Sequence, residues 1–154
     1  MTTLHEQIDT TLPIESAFEY VADFANSQEW DPGVASAARV DSGPVGVGAR
    51  YRLGVRIGSR VAPMDYRITV FEPPHRVVLV GSGSGVSAVD DIRFGSVATG
   101  TRIDYTADIR LTGLLRIVQP LLGGAFANIG RNAAEGMRRV LAERAARMRP
   151  GGEA

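Results

Sequence analysis

The chain has 154 residues, 44% of them hydrophobic and 22% charged, and no net charge at pH 7. That composition fits one folded domain with its own core, and the balanced charge argues against a nucleic-acid binder, since neutralising phosphates takes a basic excess. All 17 basic residues are arginine and cysteine is absent, so lysine Schiff-base chemistry, a P-loop lysine, disulfides, thiol catalysis and cysteine-ligated metals are all excluded.

The first element reads as a strand, Leu4 to Leu12, in which Leu4, Glu6 and Ile8 alternate with His5, Gln7 and Asp9. Pro13-Ile14-Glu15-Ser16 then opens a helix, with Pro in the first turn, and Ala17, Phe18, Val21 and Ala22 supply its apolar face. A second short helical turn is expected over Ala25 to Glu29, stopped by Trp30-Asp31-Pro32-Gly33.

Strand patterns follow without a helix between them. They are Ala35 to Ser42, Ala49 to Gly58, Arg60 to Glu72, His75 to Gly81, Val86 to Phe94 and Thr101 to Leu111. Gly81-Ser82-Gly83-Ser84-Gly85 reads as a flexible hairpin connection; without a lysine and a following helix it is no phosphate loop. Apolar residues alternate with arginines and aspartates along these runs, as in an antiparallel meander with one buried and one wet face. Pro120 to Met148 is the only long stretch with helical periodicity. Its apolar stripe runs through Leu121, Leu122, Ala125, Phe126, Ile129, Ala133, Met137, Val140 and Leu141. Such a helix on a sheet either closes an ordinary core or roofs a cavity. Gly123, Gly124 and Gly130 interrupt it; a hinge and close packing on the sheet are both open, and close packing is favoured.

The local sequences that fill this order resemble those of the START-like (SRPBCC) superfamily. Within it they are most similar to the bacterial polyketide cyclase/dehydrase and lipid-transport family. The resemblance is carried by Pro13 to Asp23, Trp30-Asp31-Pro32-Gly33, Val70 to Val77, Asp91-Ile92-Arg93-Phe94 and Gly100 to Thr106. It implies an α+β helix-grip fold. A curved antiparallel sheet of six to seven strands wraps around the long C-terminal helix, and two short helices follow the first strand. It also implies a cavity between sheet and helix for a lipid, polyketide or similar apolar compound. Some family members catalyse aromatase/cyclase or dehydration steps.

Asp90 is the candidate for chemistry. It shares strand parity with Ile92 and Phe94, so it should face inward, where a carboxyl without a partner shifts toward its neutral form. Such a group suits general acid–base work or the anchoring of a ligand hydroxyl. The alternative is a bulge that turns Asp90 to solvent. Tyr51, Tyr66 and Tyr105 share parity with apolar neighbours and either line a pocket or fill the core. The expected pocket wall is Tyr51, Tyr66, Ile68, Asp90, Ile92 and Tyr105 from the sheet, with Leu122, Phe126 and Ile129 from the helix. Trp30 either caps the core or forms a cavity lip. His5 and His75 are isolated and lack metal-ligand spacing.

The sequence thus predicts a single domain over 1–148 with a disordered tail over 149–154. Its expected partner is a small apolar molecule, with no cofactor, metal, nucleic acid or stable membrane insertion; the alternatives are a cyclase/dehydratase-type enzyme with Asp90 and the tyrosines as acid–base groups, and a protein interaction module without a ligand. An exposed edge strand allows a homodimer. Met1 to Glu6 has neither a basic stretch nor an apolar core, and no later run spans a bilayer, so the cytoplasm is the expected compartment.

Overall fold

The computed structural model describes residues 1–83 and 85–148. Ser84 and the expected tail over 149–154 lie outside the described residues.

The elements run β1 (Thr2–Thr10), α1 (Ile14–Ala22), a 3-10 turn (Phe24–Asn26), α2 (Ser27–Trp30), β2 (Val34–Arg39), β3 (Arg50–Ile57) and β4 (Arg60–Glu72). They continue with β5 (Arg76–Gly83), β6 (Val86–Val97), β7 (Gly100–Leu111), two 3-10 helices (Gly113–Ile117 and Gln119–Leu122) and α3 (Gly123–Met148). One seven-stranded sheet has the order β1-β7-β6-β5-β4-β3-β2, and every pairing is antiparallel. The sheet is a curved half-barrel that grips α3: the fold is the helix-grip.

The outer face of the sheet carries cross-strand ion pairs. Asp9 and Arg102 stand opposite each other in register and bond at 2.9 and 3.1 Å; Arg52 and Asp65 do so at 2.9 Å. Directly opposed charges of unlike sign favour this pairing. The inner face is apolar, and α1 closes one part of it. Phe18 packs against Phe71 and Phe94 with ring centroids 5.3 and 5.1 Å apart.

The expected helix from Pro120 begins later, at Gly123. Pro120 sits inside the second 3-10 helix. Gln119 fastens this segment to the sheet. Its side chain accepts from the Leu111 N–H (3.0 Å) and donates to the Ile109 carbonyl (2.7 Å) and the Thr2 hydroxyl (3.0 Å). Leu121, expected in the inward stripe, is therefore turned out and 81% exposed.

The two halves of α3 differ. Ala134, Gly136, Met137, Val140, Leu141 and Ala145 are buried, and here the helix closes an ordinary core. The first turns stand off the sheet. A side chain at Gly123 or Gly124 would meet nothing within 4 Å, so close packing does not explain these two glycines. Gly130 does approach β1: a Cβ there would lie 3.4 Å from Leu4. The tightest seam is at Gly136, where an added methyl group would overlap the Trp30 carbonyl oxygen. Only glycine lets α3 press its backbone onto the end of α2 at this point.

Candidate functional site

Between the sheet and α3, whose first turns stand off, a cavity of about 530 Å³ remains. Such a volume falls within the range of small-molecule sites. Its wall crosses the sheet diagonally, from Leu53, Met64 and Tyr66 through Ala88 and Asp90 to Tyr105 and Ile8. α3 and the segment before it supply Leu122, Phe126, Ile129 and Met137, and Trp30 and Asp31 close the inner side. Apolar groups dominate this lining, so ligand binding there would be driven by removing apolar surface from water.

The polar groups converge from four places. Asp90, in the middle of β6, is only 6% exposed. Its Oδ2 accepts a hydrogen bond from the Tyr105 hydroxyl at 3.0 Å. Burial raises its pKa to about 7; the Tyr105 bond opposes that rise, and the charges of Asp31 and Asp108 add to it. The Asp90 carboxyl therefore exchanges its proton near neutrality. Asp31, at the end of α2, is also pushed up by burial, against the Gly33 N–H that donates to its Oδ1 at 2.8 Å. Burial raises the phenols of Tyr66 and Tyr105 well above their ordinary value, with the Asp90 charge as the next cause, so both stay protonated donors.

Tyr66 reaches the cavity because of Gly81. In register, Tyr66 stands opposite Gly81, and Gly81 opposite Ala88. A methyl group on Gly81 would collide with the Tyr66 ring, which lies over the bare backbone of β5. The Gly81–Gly85 stretch, read from sequence as a loose connection, thus begins inside a strand: β5 continues to Gly83.

Of the nine expected wall residues, Tyr66, Asp90, Tyr105, Leu122, Phe126 and Ile129 border the cavity. Tyr51, Ile68 and Ile92 do not. All three are fully buried in the filled core. Parity assigns a residue to a face of the sheet; it does not locate it along a cavity that crosses the strands obliquely. Tyr51 instead packs near Phe24 (centroids 6.4 Å apart), with the Arg39 guanidinium 5.7 Å from its ring. The bulge alternative for Asp90 is absent, because β6 keeps its register through Asp90 and Asp91. Of the two roles open to it, Trp30 takes the core one: it is 2% exposed and borders the cavity from its closed side, so it forms no lip at the mouth. Its ring meets Tyr105 edge-on at 6.0 Å, and its indole N–H has no hydrogen-bond partner among the described residues. Asp31 and Glu6 also line the cavity. Sequence reasoning missed Asp31 as part of the site because it had been absorbed into a turn.

Among the described residues, no group of three or more His, Cys, Asp or Glu side chains could hold a metal, and no helix is long and apolar enough to cross a membrane.

A sequence profile described as "Polyketide cyclase / dehydrase and lipid transport" matches residues 1–149. No curated protein matches the chain. Among solved structures, the Zhui aromatase/cyclase from Streptomyces sp. R1128 superposes with a TM-score of 0.76 at 13% identity, covering 99% of this chain and 98% of that one. A START superfamily protein from Mycobacterium smegmatis gives 0.76 at 10% identity, with 92% and 97% covered. A protein of unknown function from Staphylococcus aureus gives 0.70 at 14% identity, with 96% of each chain covered. At such identities the structural likeness speaks for the fold alone, whereas the profile spans nearly the whole sequence. The chain belongs to the polyketide cyclase/dehydrase and lipid-transport family.

Proposed function

We propose that the protein binds one small, largely apolar molecule in the cavity between the sheet and α3, with Asp90 and Tyr105 as its polar anchor. The observation that carries this reading is a cavity of about 530 Å³ with a mostly apolar lining, on which Asp90, Tyr66 and Tyr105 converge. The apolar body of the ligand supplies affinity, and a ligand hydroxyl bonded to Asp90 supplies orientation. Native mass spectrometry of protein purified from its host tests the reading by retaining a bound small molecule. Asp90→Asn should weaken binding of a hydroxyl-bearing ligand by roughly 1–3 kcal/mol, the usual worth of a hydrogen bond to a charged group. Unchanged affinity would remove the anchor and leave a purely apolar, shape-selective pocket.

One observation favours a second reading, cyclisation or dehydration of a polyketide-like substrate. A carboxyl with a pKa of about 7, bonded to a phenol, can take a proton from carbon or oxygen and return it at neutral pH. Asp90→Asn would then abolish turnover while the bound complex still forms, which a pure carrier would not display.

A further inference from the structure

We propose that the cavity selects its occupant by charge: it admits uncharged, hydroxyl-bearing apolar molecules and excludes those that end in a carboxylate, such as free fatty acids. This rests on the ligand-binding reading and narrows it. Three carboxyl groups border the cavity, from Glu6, Asp31 and Asp90, and among the described lining residues Arg56 is the sole cation. Arg56 is an exposed residue, and its Nε donates to the Pro32 carbonyl at 3.1 Å. No cation is paired with the Asp31 or Asp90 carboxyl.

The position of Glu6 strengthens the point. It lies on β1 opposite Tyr105, half-buried, beneath the part of α3 that carries Gly130. A Cβ on Gly130 would lie 3.7 Å from Glu6 Oε2. No hydrogen bond or ion pair joins the Glu6 side chain to another described residue.

A hydroxyl answers these groups. It donates one hydrogen bond to a carboxylate and keeps lone pairs for a donor. Tyr66 offers such a donor, a phenol on the cavity wall that burial keeps protonated. A carboxylate has no proton to donate. Above the Asp90 pKa of about 7 it would set a further negative charge beside the buried Asp90 carboxylate, with Asp31 and Glu6 on the same wall, and juxtaposed like charges are strongly unfavourable there. Entering tail-first, with its carboxylate near Arg56, it would press hydrocarbon onto Asp90 and leave that group without a ligand donor.

The test compares two ligands with the same tail. Dodecanol and dodecanoate, both kept below aggregation, compete for the full-length protein against the uncharged fluorophore N-phenylnaphthylamine in mildly alkaline buffer. There Asp90 is above its pKa of about 7; Glu6, Asp31, Tyr66 and Tyr105 also face the space, Asp108 acts on Asp90 from β7, and Arg56 is the one cation among the described lining residues. Dodecanol is expected to displace the probe at a concentration at least about tenfold lower than dodecanoate. The gap should shrink at least about threefold in Asp90→Asn and again in Glu6→Gln, as each removes a repelling charge while circular dichroism shows the fold retained. Equal displacement by the two ligands overturns the proposal. So does a gap that neither variant changes, because then it would reflect only the cost of drying a carboxylate in any apolar pocket. A wild-type protein that binds neither the fluorophore nor dodecanol fails earlier, at the ligand-binding reading itself.

Discussion

On the outer face of β6, the Asp91 carboxyl accepts two hydrogen bonds from Arg76, at 3.1 and 3.0 Å, and Arg93 lies 3.5 Å away. One residue earlier, on the inner face, Asp90 has a phenol and no cation. The Arg76 bond holds Asp91 below the usual carboxylate range, whereas burial drives Asp90 up to about 7. The two share a residue type, a strand and a register. The side of the sheet decides which carboxyl becomes an ion-pair partner and which becomes an exchangeable proton at the end of a cavity. A one-residue slip of β6 would exchange the two environments.

The sharpest way to test this contrast is Asp90→Asn, followed through the pH dependence of stability. A carboxyl whose pKa is raised on folding favours the native state at low pH, and that support is lost as pH climbs from the unfolded value of 3.8 to about 7. In the wild type the cost of the buried charge should reach roughly 4 kcal/mol above neutrality, at about 1.4 kcal/mol for each tenfold change in proton affinity. Denaturant titrations at acidic and mildly alkaline pH should show Asp90→Asn losing most of that slope. An unchanged slope would mean that Asp90 is solvated in the folded protein.

Tyr105→Phe is expected to have a smaller effect. It removes the one hydrogen bond that lowers the Asp90 pKa, so the carboxyl should titrate further above 7, followed by NMR of the labelled side chain. Stability at alkaline pH should fall by about 1–3 kcal/mol, the worth of a donor to a buried charge, and by less in acid. A downward move of the Asp90 titration would refute the assignment of Tyr105 as its donor.

Asp91→Asn completes the comparison from the other face. Its effect should be under about 1 kcal/mol, because the pair with Arg76 is partly exposed to solvent. The sign is opposite to that of Asp90. A lowered carboxyl pKa stabilises the fold above the unfolded value, and that support is lost as pH falls through the folded one. The effect should also fade with added salt, whereas that of Asp90 should not.

The alternation of apolar and charged residues made the sheet legible. It placed Asp90 and Tyr105 on the inner face and the arginines on the outer one, because a strand repeats every two residues and water lies on one side only. Asp90 and Asp91 show how far that goes: parity distinguished them, yet the Arg76 partner became visible only once β5 lay beside β6. The diagonal course of the cavity was not legible, since it depends on how α1 and α3 divide one concave surface, and for this reason Tyr51, Ile68 and Ile92 were misplaced. Nor was the late start of α3. Leu121 fits a helical stripe in sequence, but Gln119 ties the preceding turn to β7 and rotates that stripe away. Parity put Tyr66 on the inner face, but the room that the bare backbone of Gly81 gives its ring emerged only with the register.

The seam at Gly136 gives the cavity one fixed end. Backbone meets backbone there, α3 against the Trp30 carbonyl, so the wall beside Asp31 and Trp30 is a stop that yields little. Away from that seam the wall includes the side chains of Leu115, Val118 and Ile129, the last of them 45% exposed. A series of alcohols of increasing length would then use the cavity as a depth gauge. Each added methylene should improve binding by about 0.8 kcal/mol while it is still being buried. The increments should stop once the chain tip passes the outer rim, and the length at which they stop measures the distance from the seam to open water.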